Sequence, residues 1–228
     1  MLVALTRESG RNEQLRRWVG ARADVVEIPL TVTSYRAVDD VDADVRASEH
    51  YGRFRTLVVT SARAERYLGV ARAALDEHPV VASVGPATTR SLESLGMRVN
   101  VESVQGAQEL AASINDEPVL LLTAVGGRDE LRLALAERGL ACVAVECYAT
   151  RGLSLDEQAR EQLRGADVVF IGAPSAWRAA RDEVDARAWV LVPGVTTLEE
   201  VLADHDRAVI GWGDDFAAAW ELVEGSPR

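Results

Sequence analysis

The stretch LTRESGRNE (residues 5–13) decides the fold, because it returns as LTAVGGRDE at residues 122–130. The offset is constant at 117, which places Thr6 over Thr123. Each copy follows an apolar run, LVAL or VLLL, and leads through a charged helical pattern to a second β-rich run, DVVEIPL or CVAVECY. Each copy is therefore predicted to be a strand–helix–strand unit.

The rest of the chain repeats in the same order. RTLVVTSARAERYL (residues 55–68) aligns with DVVFIGAPSAWRAA (residues 167–180) at an offset of 112. GAQELAASI (residues 106–114) aligns with DDFAAAWEL (residues 214–222) at an offset of 108, and both have the spacing of amphipathic helices. The chain is therefore interpreted as an internal duplication.

A third block, VASVGPATTRSLESLG (residues 81–96), has the pattern strand, glycine turn, hydroxyl residues and helix start. It aligns with AWVLVPGVTTLEEVLAD (residues 188–204), with Thr88 over Thr196 and Thr89 over Thr197. The first N–H groups of a helix lack internal partners, so such a turn can hold an anionic ligand. The alternative is that the threonines only cap their helices, and the residues alone favour capping.

The alternation of elements predicts the fold class. Each copy contains about five short β-rich runs separated by helical patterns, which is typical of parallel strands with crossover helices. We expect an α/β protein with two similar, flavodoxin-like, doubly wound sheets. Ligands of such sheets bind outside the carboxyl ends of the strands, and two sheets facing each other would form a cleft. Residues 34–51 are predicted to be an irregular, acidic insertion with a solvated face.

Charge and composition exclude several function classes. The 228 residues carry a formal net charge of −11, and all 25 basic residues are arginines. An acidic chain without a basic stripe is a poor candidate for binding nucleic acid or an anionic membrane. No apolar run reaches the ~18 residues of a membrane span, and the N-terminus lacks a signal-peptide pattern. We therefore expect a cytoplasmic protein.

The sequence contains no metal, redox or nucleotide motif. Cys142 and Cys147 are separated by an odd number of positions in a β-rich run, so their side chains should point to opposite faces. The three histidines are scattered, and no metal site is expected. A nucleotide or flavin site ranks low, because the P-loop lysine and a G-x-G-x-x-G pattern are absent. Ser61 and Ser175 have no evident histidine or acidic partner for nucleophilic catalysis.

Six segments together resemble the uroporphyrinogen-III synthase family, over nearly the whole chain. They are LVALTR, VVTSARA, SVGPATTRSLESLGMRV, LTAVGGRDELRLALAERG, ECYAT and APSAW. The resemblance implies a discontinuous first domain, residues 1–31 plus 152–228, and an inserted second domain, residues 36–147. Two antiparallel linker strands, near residues 32–35 and 148–151, would join the domains beside a cleft. The repeat alone would instead divide the chain near Glu117, about its middle.

The resemblance also implies an activity, that of a cofactor-independent lyase of tetrapyrrole (haem) biosynthesis. Its substrate would be hydroxymethylbilane, a linear tetrapyrrole octacarboxylate, which loses its hydroxyl group and closes with inversion of ring D through a spiro intermediate. Tyr148 matches the family's tyrosine and is the candidate to donate a proton to the leaving hydroxyl. The candidate substrate-binding residues are Thr6, Arg7, Thr60, Ser61, Ser83, Gly85, Pro86, Thr88, Ala173, Ser175, Gly194, Thr196 and Thr197. Arg11 and Arg128 are candidates for additional charge. We expect no metal or cofactor, a monomer, and transient contact with the upstream deaminase that makes the substrate.

Two turns in the second half depart from the family pattern. Residues 172–175 (GAPS) lack a hydroxyl pair, and residues 192–197 (VPGVTT) exchange a glycine with a proline, so the second turn must follow another backbone path. These departures leave open a non-catalytic, tetrapyrrole-binding or regulatory protein of the same fold. For Tyr148 the alternative is a half-buried strand aromatic. For Arg7 and Arg11 the alternative is surface ion pairs with neighbouring glutamates.

Overall fold

The computed structural model describes residues 1–103, 107–127 and 129–226, in which eleven β-strands and ten α-helices are found. The strands are β1 Leu2–Leu5, β2 Asp24–Glu27, β3 Thr31–Tyr35, β4 Phe54–Val59, β5 Leu75–Val84, β6 Val101–Ser103, β7 Val119–Ala124, β8 Cys142–Gly152, β9 Val168–Phe170, β10 Trp189–Val192 and β11 Ala208–Ile210. The α-helices are α1 Glu13–Val19, α2 Val38–Arg46, α3 Leu68–Ala74, α4 Pro86–Ser94, α5 Ala107–Ser113, α6 Glu130–Glu137, α7 Glu157–Arg164, α8 Pro174–Ala180, α9 Val195–Leu202 and α10 Phe216–Gly225. Short 3₁₀ helices lie at Ala62–Tyr67, Arg181–Glu183 and Gly213–Asp215.

The strands form two sheets. The first sheet has the order β11-β10-β9-β1-β2, with every neighbouring pair parallel. The second has the order β3-β8-β7-β4-β5-β6, and the pairs from β8 to β6 are parallel. Hydrogen bonds join Ser34 to Ala149 and Arg36 to Cys147, so β3 runs antiparallel to β8. The predicted α/β class with two parallel sheets is confirmed.

The chain divides into two compact units. The first unit consists of Met1–Thr33 with Arg151–Arg228, and the second unit is Ser34–Thr150. A division near the middle of the chain, as the repeat alone suggests, is wrong. The reason is strand pairing: β7 and β8 belong to the sheet of β4, whereas β1 and β2 pair with β9 from the far end of the chain.

The duplication is visible in the strand order. By the sequence alignments, β1, β2, β9, β10 and β11 correspond to β7, β8, β4, β5 and β6. Both sheets then share one spatial order, which is the 2-1-3-4-5 order of flavodoxin-like sheets. The units differ in where the chain enters the sheet, and the second sheet has β3 as an additional strand beside β8. We call the boundary between β1 and β9 the first switch point, and that between β7 and β4 the second switch point.

Buried side chains cover both faces of each sheet. In the first sheet Leu5 and Phe170 pack on one face, and Ala4 and Val169 pack on the other, because side chains alternate along a strand. The second sheet has the same arrangement of two separate apolar clusters. Strands buried on both faces read as continuous apolar runs, which explains LVAL, DVVF and VLLL in the sequence.

Residues 34–51 are not the irregular insertion that the sequence predicts. They contain the end of β3 and helix α2, whose Val41 and Val45 are fully buried in the core of the second unit. The prediction of a solvated face holds for Asp39 and Asp40, which are exposed. Two valines four positions apart form a narrow apolar stripe, which the surrounding acidic residues conceal at the sequence level.

Candidate functional site

The candidate residues of the first unit follow the carboxyl ends of its strands: Thr6 and Arg7 follow β1, residues 172–175 follow β9, and residues 193–197 follow β10. Trp212, which is not among the candidates, follows β11 at the same edge. We call this set the first edge. In a doubly wound sheet, the carboxyl edge at the switch point is where ligands bind.

Thr6 and Arg7 lie at the first switch point. Thr6 is 1% exposed, and its hydroxyl donates a 2.5 Å hydrogen bond to the carbonyl oxygen of Phe170 at the end of β9. The guanidinium carbon of Arg7 lies 5.4 Å from the ring centroid of Trp212, and its Nη1 donates to the Arg11 carbonyl at 2.9 Å. Thr6 therefore joins the two strands, whereas Arg7 supplies a half-buried positive charge beside them.

Arg11 and Glu8 form the ion pair that the sequence offered as the alternative. Arg11 Nε lies 3.7 Å from Glu8 Oε2. The same carboxylate accepts hydrogen bonds from Thr33, at 2.6 Å from the backbone N–H and 2.9 Å from the hydroxyl. Glu8 thus attaches the loop after β1 to strand β3. Arg128, the other candidate for additional charge, lies outside the described residues.

The turn after β9 contains Gly172, Ala173 and Ser175. Ala173 precedes helix α8 in an extended conformation, and Ser175 in its first turn is exposed. Helix α8 is anchored by Trp177, whose indole N–H donates to Asp204 at 2.8 Å. By the offset of 112, Gly172 occupies the position of Thr60, so a hydroxyl of the second unit has no counterpart here.

The turns that contain the two threonine pairs, residues 85–89 and 194–197, match each other in a register that differs by one residue from the sequence alignment. Gly85 is the N-cap of α4 and Gly194 is the N-cap of α9, so Thr88 and Thr197 both occupy the third helical position. Both threonines are 5% exposed, whereas Thr196 is exposed. The alignment of Thr88 with Thr196 is therefore wrong by one residue. The capping interpretation is also wrong, because glycine occupies each cap position.

The exchange of glycine and proline changes the backbone of these turns. Gly85 has φ 78° and ψ 155°, a conformation that favours glycine, whereas Gly194 is extended with φ 178°. In α4 the N–H groups of Thr88 and Thr89 both donate to the Gly85 carbonyl. In α9 only the fourth helical residue, Leu198, donates to the cap carbonyl, at 3.0 Å. The different backbone path predicted for the second turn is confirmed.

Most candidate residues of the second unit also lie at strand ends: Thr60 and Ser61 follow β4, and Ser83 to Thr88 lie at the end of β5 and the start of α4. Tyr148 lies within β8, and we call all of these residues together the second edge. The Thr60 hydroxyl donates to the Leu122 carbonyl at 3.2 Å, across the second switch point. Ser61 caps the following 3₁₀ helix, since its hydroxyl accepts from the Arg63 N–H at 3.3 Å.

Ser83 lies beneath the surface of the second edge. The side chain is fully buried, and its hydroxyl lies 2.6 Å from that of Thr89. Thr89 is half-buried in the first turn of α4. Ser83 therefore orients a neighbouring hydroxyl that is not among the candidate residues. The repeat could have indicated Thr89, because it belongs to the same threonine pair as Thr88.

Tyr148 lies level with the carboxyl end of β7. Its carbonyl oxygen accepts a 2.6 Å hydrogen bond from the Val125 N–H, and its ring centroid is 6.4 Å from that of Tyr35. The residue is 5% exposed and packs in the core of the second unit, so the description as a half-buried aromatic understates its burial. Within the described part of the chain, its hydroxyl makes no hydrogen bond.

The neighbouring Tyr67 is bound differently. Its hydroxyl contacts the carbonyl oxygens of Arg36 at 2.8 Å and Cys147 at 2.7 Å, and burial raises the pKa of the phenol. A hydroxyl engaged with two backbone carbonyls is a structural group. Of these two buried tyrosines, Tyr148 is therefore the one whose hydroxyl has no hydrogen-bond partner in the described part of the chain.

The cysteines lie on opposite faces of the second sheet, as predicted. Cys142 packs against one apolar cluster and Cys147 belongs to the other, and both thiols are free. Burial raises the pKa of Cys142 to about 11 and that of Cys147 to about 12. Neither thiol is a nucleophile near neutral pH, because the thiolate is the reactive form.

The first unit also has a cavity at the other end of its sheet. A cavity of about 550 Å³ lies at the amino ends of β1, β9 and β10, away from the first edge. Two of the arginines that line it are engaged in ion pairs: Arg164 with Glu183 at 2.5 Å, and Arg187 with Asp185 at 3.0 Å. Among the described residues, no group of three or more metal-ligating side chains could hold a metal ion. No helix in the same residues is long and apolar enough to cross a membrane.

The fold and the two edges define a class: a duplicated, doubly wound α/β protein that presents hydroxyl groups, an arginine and a tyrosine at the carboxyl ends of its strands. A family model described as "Uroporphyrinogen-III synthase HemD" matches residues 16–201. The chain belongs to the uroporphyrinogen-III synthase family, whose members are cofactor-independent cyclising lyases of porphyrin biosynthesis. The resemblance found in the sequence is thereby confirmed.

Solved structures of the same family share the fold. A mutant uroporphyrinogen III synthase from the extremely thermophilic bacterium Thermus thermophilus is 15% identical, with a TM-score of 0.69 over 98% of this chain and 97% of that one. The uroporphyrinogen-III synthetase from Helicobacter pylori is 17% identical, with a TM-score of 0.61 over 98% and 99% of the two chains. Among curated proteins, no match to the sequence was found.

Proposed function

We propose that this chain performs the reaction of its family: it cyclises hydroxymethylbilane to uroporphyrinogen III, with inversion of ring D through a spiro intermediate. The observation that carries the proposal is the placement of Tyr148. Its hydroxyl makes no hydrogen bond within the described residues, while its ring is held in the core of the second unit beside Tyr35. An acid held in this way can protonate the leaving hydroxyl of the substrate.

Carboxylate binding is the second requirement of the reaction. We assign it to Thr6, Arg7, Thr60, Ser61, Ser83, Gly85, Pro86, Thr88, Ala173, Ser175, Gly194, Thr196 and Thr197. Arg7 supplies a planar cation, and the helix starts supply backbone N–H groups. Ser83 and Thr6 are buried, so they act by holding their neighbours. The enzyme then accelerates the reaction by positioning and charge stabilisation rather than by a covalent intermediate.

The start of α9 is the candidate carboxylate site with more unused backbone N–H groups than the start of α4. Within the described residues, no backbone carbonyl accepts from the N–H groups of Val195, Thr196 and Thr197. In α4, by contrast, Pro86 has no N–H, and those of Thr88 and Thr89 are used by Gly85. The turn that departs from the family pattern therefore offers more donors to a carboxylate than the turn that keeps it.

The domains are part of the proposal. We propose that residues 1–31 with 152–228 fold as one domain and residues 36–147 as another, with linkers at 32–35 and 148–151. The compact units of the chain support these boundaries. Limited proteolysis tests them, because a protease should cut within the linkers before it cuts either domain.

Three further expectations concern the protein in the cell. The protein acts as a cytoplasmic monomer, since the duplication already supplies two sheets, and it meets the upstream deaminase only transiently. Analytical ultracentrifugation, with and without the deaminase, measures the oligomeric state and the contact with the deaminase. A stable dimer or a stable complex would contradict them.

Product analysis tests the activity itself. Hydroxymethylbilane is generated in place by the upstream deaminase, and the uroporphyrin isomers are separated after oxidation. We expect isomer III. Mainly isomer I, at the rate seen without the protein, would remove the enzyme proposal and favour the second candidate, a non-catalytic tetrapyrrole-binding protein. Gly172, where the second unit has Thr60, is the observation that favours that candidate.

A further inference from the structure

The loop after β11 brings an aromatic ring to the first edge that no motif of the sequence indicated. Trp212 is half-buried, and the guanidinium carbon of Arg7 lies 5.4 Å from its ring centroid. We infer that Trp212 is a positioning residue, which holds the Arg7 guanidinium at the first switch point so that it can bind a substrate carboxylate. The inference rests on the proposed function and explains how Arg7 is oriented at that same site.

Trp212 is itself fixed by other aromatic rings. Its centroid lies 5.9 Å from that of Phe170 and 6.4 Å from that of Trp18, and both contacts are edge-to-face, at 72° and 87°. Edge-to-face contacts are the favourable geometry for aromatic pairs. Phe170 ends strand β9 and accepts the Thr6 hydrogen bond, so the ring is tied to the switch point itself.

Arg7 is held at its backbone and at its guanidinium. The Asn12 side-chain amide donates to the Arg7 carbonyl at 3.3 Å, and Arg7 Nη1 donates to the Arg11 carbonyl at 2.9 Å. The contact with Trp212 uses the ring quadrupole and needs no N–H group. Hydrogen-bond donors of a guanidinium point outward in its plane, so the aromatic contact itself uses none of them.

Holding the cation in advance has a consequence for binding. A free arginine side chain must lose rotamer freedom when it takes up a carboxylate, and this cost weakens binding. Trp212 restricts the Arg7 side chain in the unliganded protein, so less rotamer freedom is lost when the carboxylate binds. The expected effect of losing the ring is therefore on substrate binding, with little effect on the chemical step at Tyr148.

The test is the pair of variants Trp212→Leu and Trp189→Leu. Trp189 is the matched control, because Arg207 lies 5.0 Å from its ring centroid, but at the amino end of the same sheet. We expect Trp212→Leu to raise the KM for hydroxymethylbilane about 3- to 10-fold, with kcat within about 2-fold. Trp189→Leu should leave both unchanged. Equal effects of the two variants would overturn the inference.

A double-mutant cycle separates positioning from packing. If Trp212 acts through Arg7, then Trp212→Leu should add nothing to the KM of an Arg7→Gln variant. Additive effects would show that Trp212 only supports the fold, and would overturn the inference. Trp212→Phe keeps an aromatic ring against Phe170, so it should fold if the leucine variant does not, and it should recover most of the affinity.

Product analysis of the wild-type protein distinguishes a failure of the proposed reaction from a failure of the proposed role of Trp212. Isomer III from the wild type together with additive variants would leave the proposed function standing and overturn the role of Trp212 alone. Mainly isomer I from the wild type would overturn both.

Discussion

The hydroxyl of Thr6 donates a hydrogen bond to the carbonyl oxygen of Phe170 and so joins the two strands at the first switch point. The second sheet has the corresponding bond, from Thr60 to Leu122, but the hydroxyl comes from the opposite strand. Thr6 follows β1, which matches β7, whereas Thr60 follows β4, which matches β9. Both copies thus contain the cross-strand hydrogen bond, but its donor follows a different one of the two corresponding strands in each copy.

Thr6→Val tests the contribution of that bond to stability. Valine keeps the volume of the side chain and removes the hydroxyl, so we expect the free energy of unfolding to fall by about 1 kcal/mol. Urea unfolding followed by circular dichroism measures the loss. Thr60→Val should cost less, because Thr60 is half-exposed and water can replace its bond. A larger loss at Thr60 than at Thr6 would contradict this explanation.

Gly85→Ala and Gly194→Ala form a matched pair. Gly85 has a positive φ, and alanine there should cost about 1–3 kcal/mol of stability. Gly194 is extended, and a Cβ would meet nothing within 4 Å, so alanine should be tolerated. Thermal unfolding compares the two. If both variants lost the same stability, the conformational difference between the turns would not be the cause.

Tyr148→Phe should separate catalysis from folding. The variant keeps the aromatic ring and loses the hydroxyl, so we expect kcat to fall by about 10² to 10⁴ with nearly unchanged stability. Tyr67→Phe is the control: it breaks contacts with two backbone carbonyls and should lower stability by about 1 kcal/mol, with kcat retained. Full activity in Tyr148→Phe would exclude the phenol as the acid.

Val195→Pro tests the start of α9 as a carboxylate site. Proline is favoured at the first helical position and Gly194 before it is extended, so the helix should form normally. The variant removes one backbone N–H, and we expect the KM to rise about 10-fold, the value of a hydrogen bond to a charged group. Val195→Ala keeps the N–H and should leave the KM unchanged. An unchanged KM in the proline variant would argue against this site.

The reactivity of the two thiols should depend on whether the protein is folded, because folding raises their pKa values. Burial raises the pKa of Cys142 to about 11 and that of Cys147 to about 12, from an ordinary value of 9.0. At pH 8 we expect no reaction with a disulfide reagent until denaturant unfolds the chain. Because the folded pKa values are raised, the stability that they contribute is present below pH 9 and is lost as the pH rises towards 12. Rapid modification of either native thiol would contradict the burial.

The sequence by itself determined the duplication, the α/β class and the family. It also indicated that Thr6, Thr60, Gly85 and Gly194 follow strand ends, because β-rich runs and turn residues are local signals. The backbone change at the second turn was predictable for the same reason. Proline cannot adopt the positive φ that Gly85 has, so the exchange of glycine and proline required a different path.

Only the tertiary structure decided which side chains meet. Trp212 reaches Arg7 from the far end of the chain, because β1 and β11 lie in one parallel sheet whose carboxyl ends share an edge. Thr88 and Thr197 occupy equivalent positions in their helices, and this depends on where each helix begins. A sequence alignment that is shifted by one residue does not show it. The burial of Tyr148 follows from packing against neighbouring strands and helices. Contacts of this kind join residues that are distant in sequence, so no local pattern encodes them.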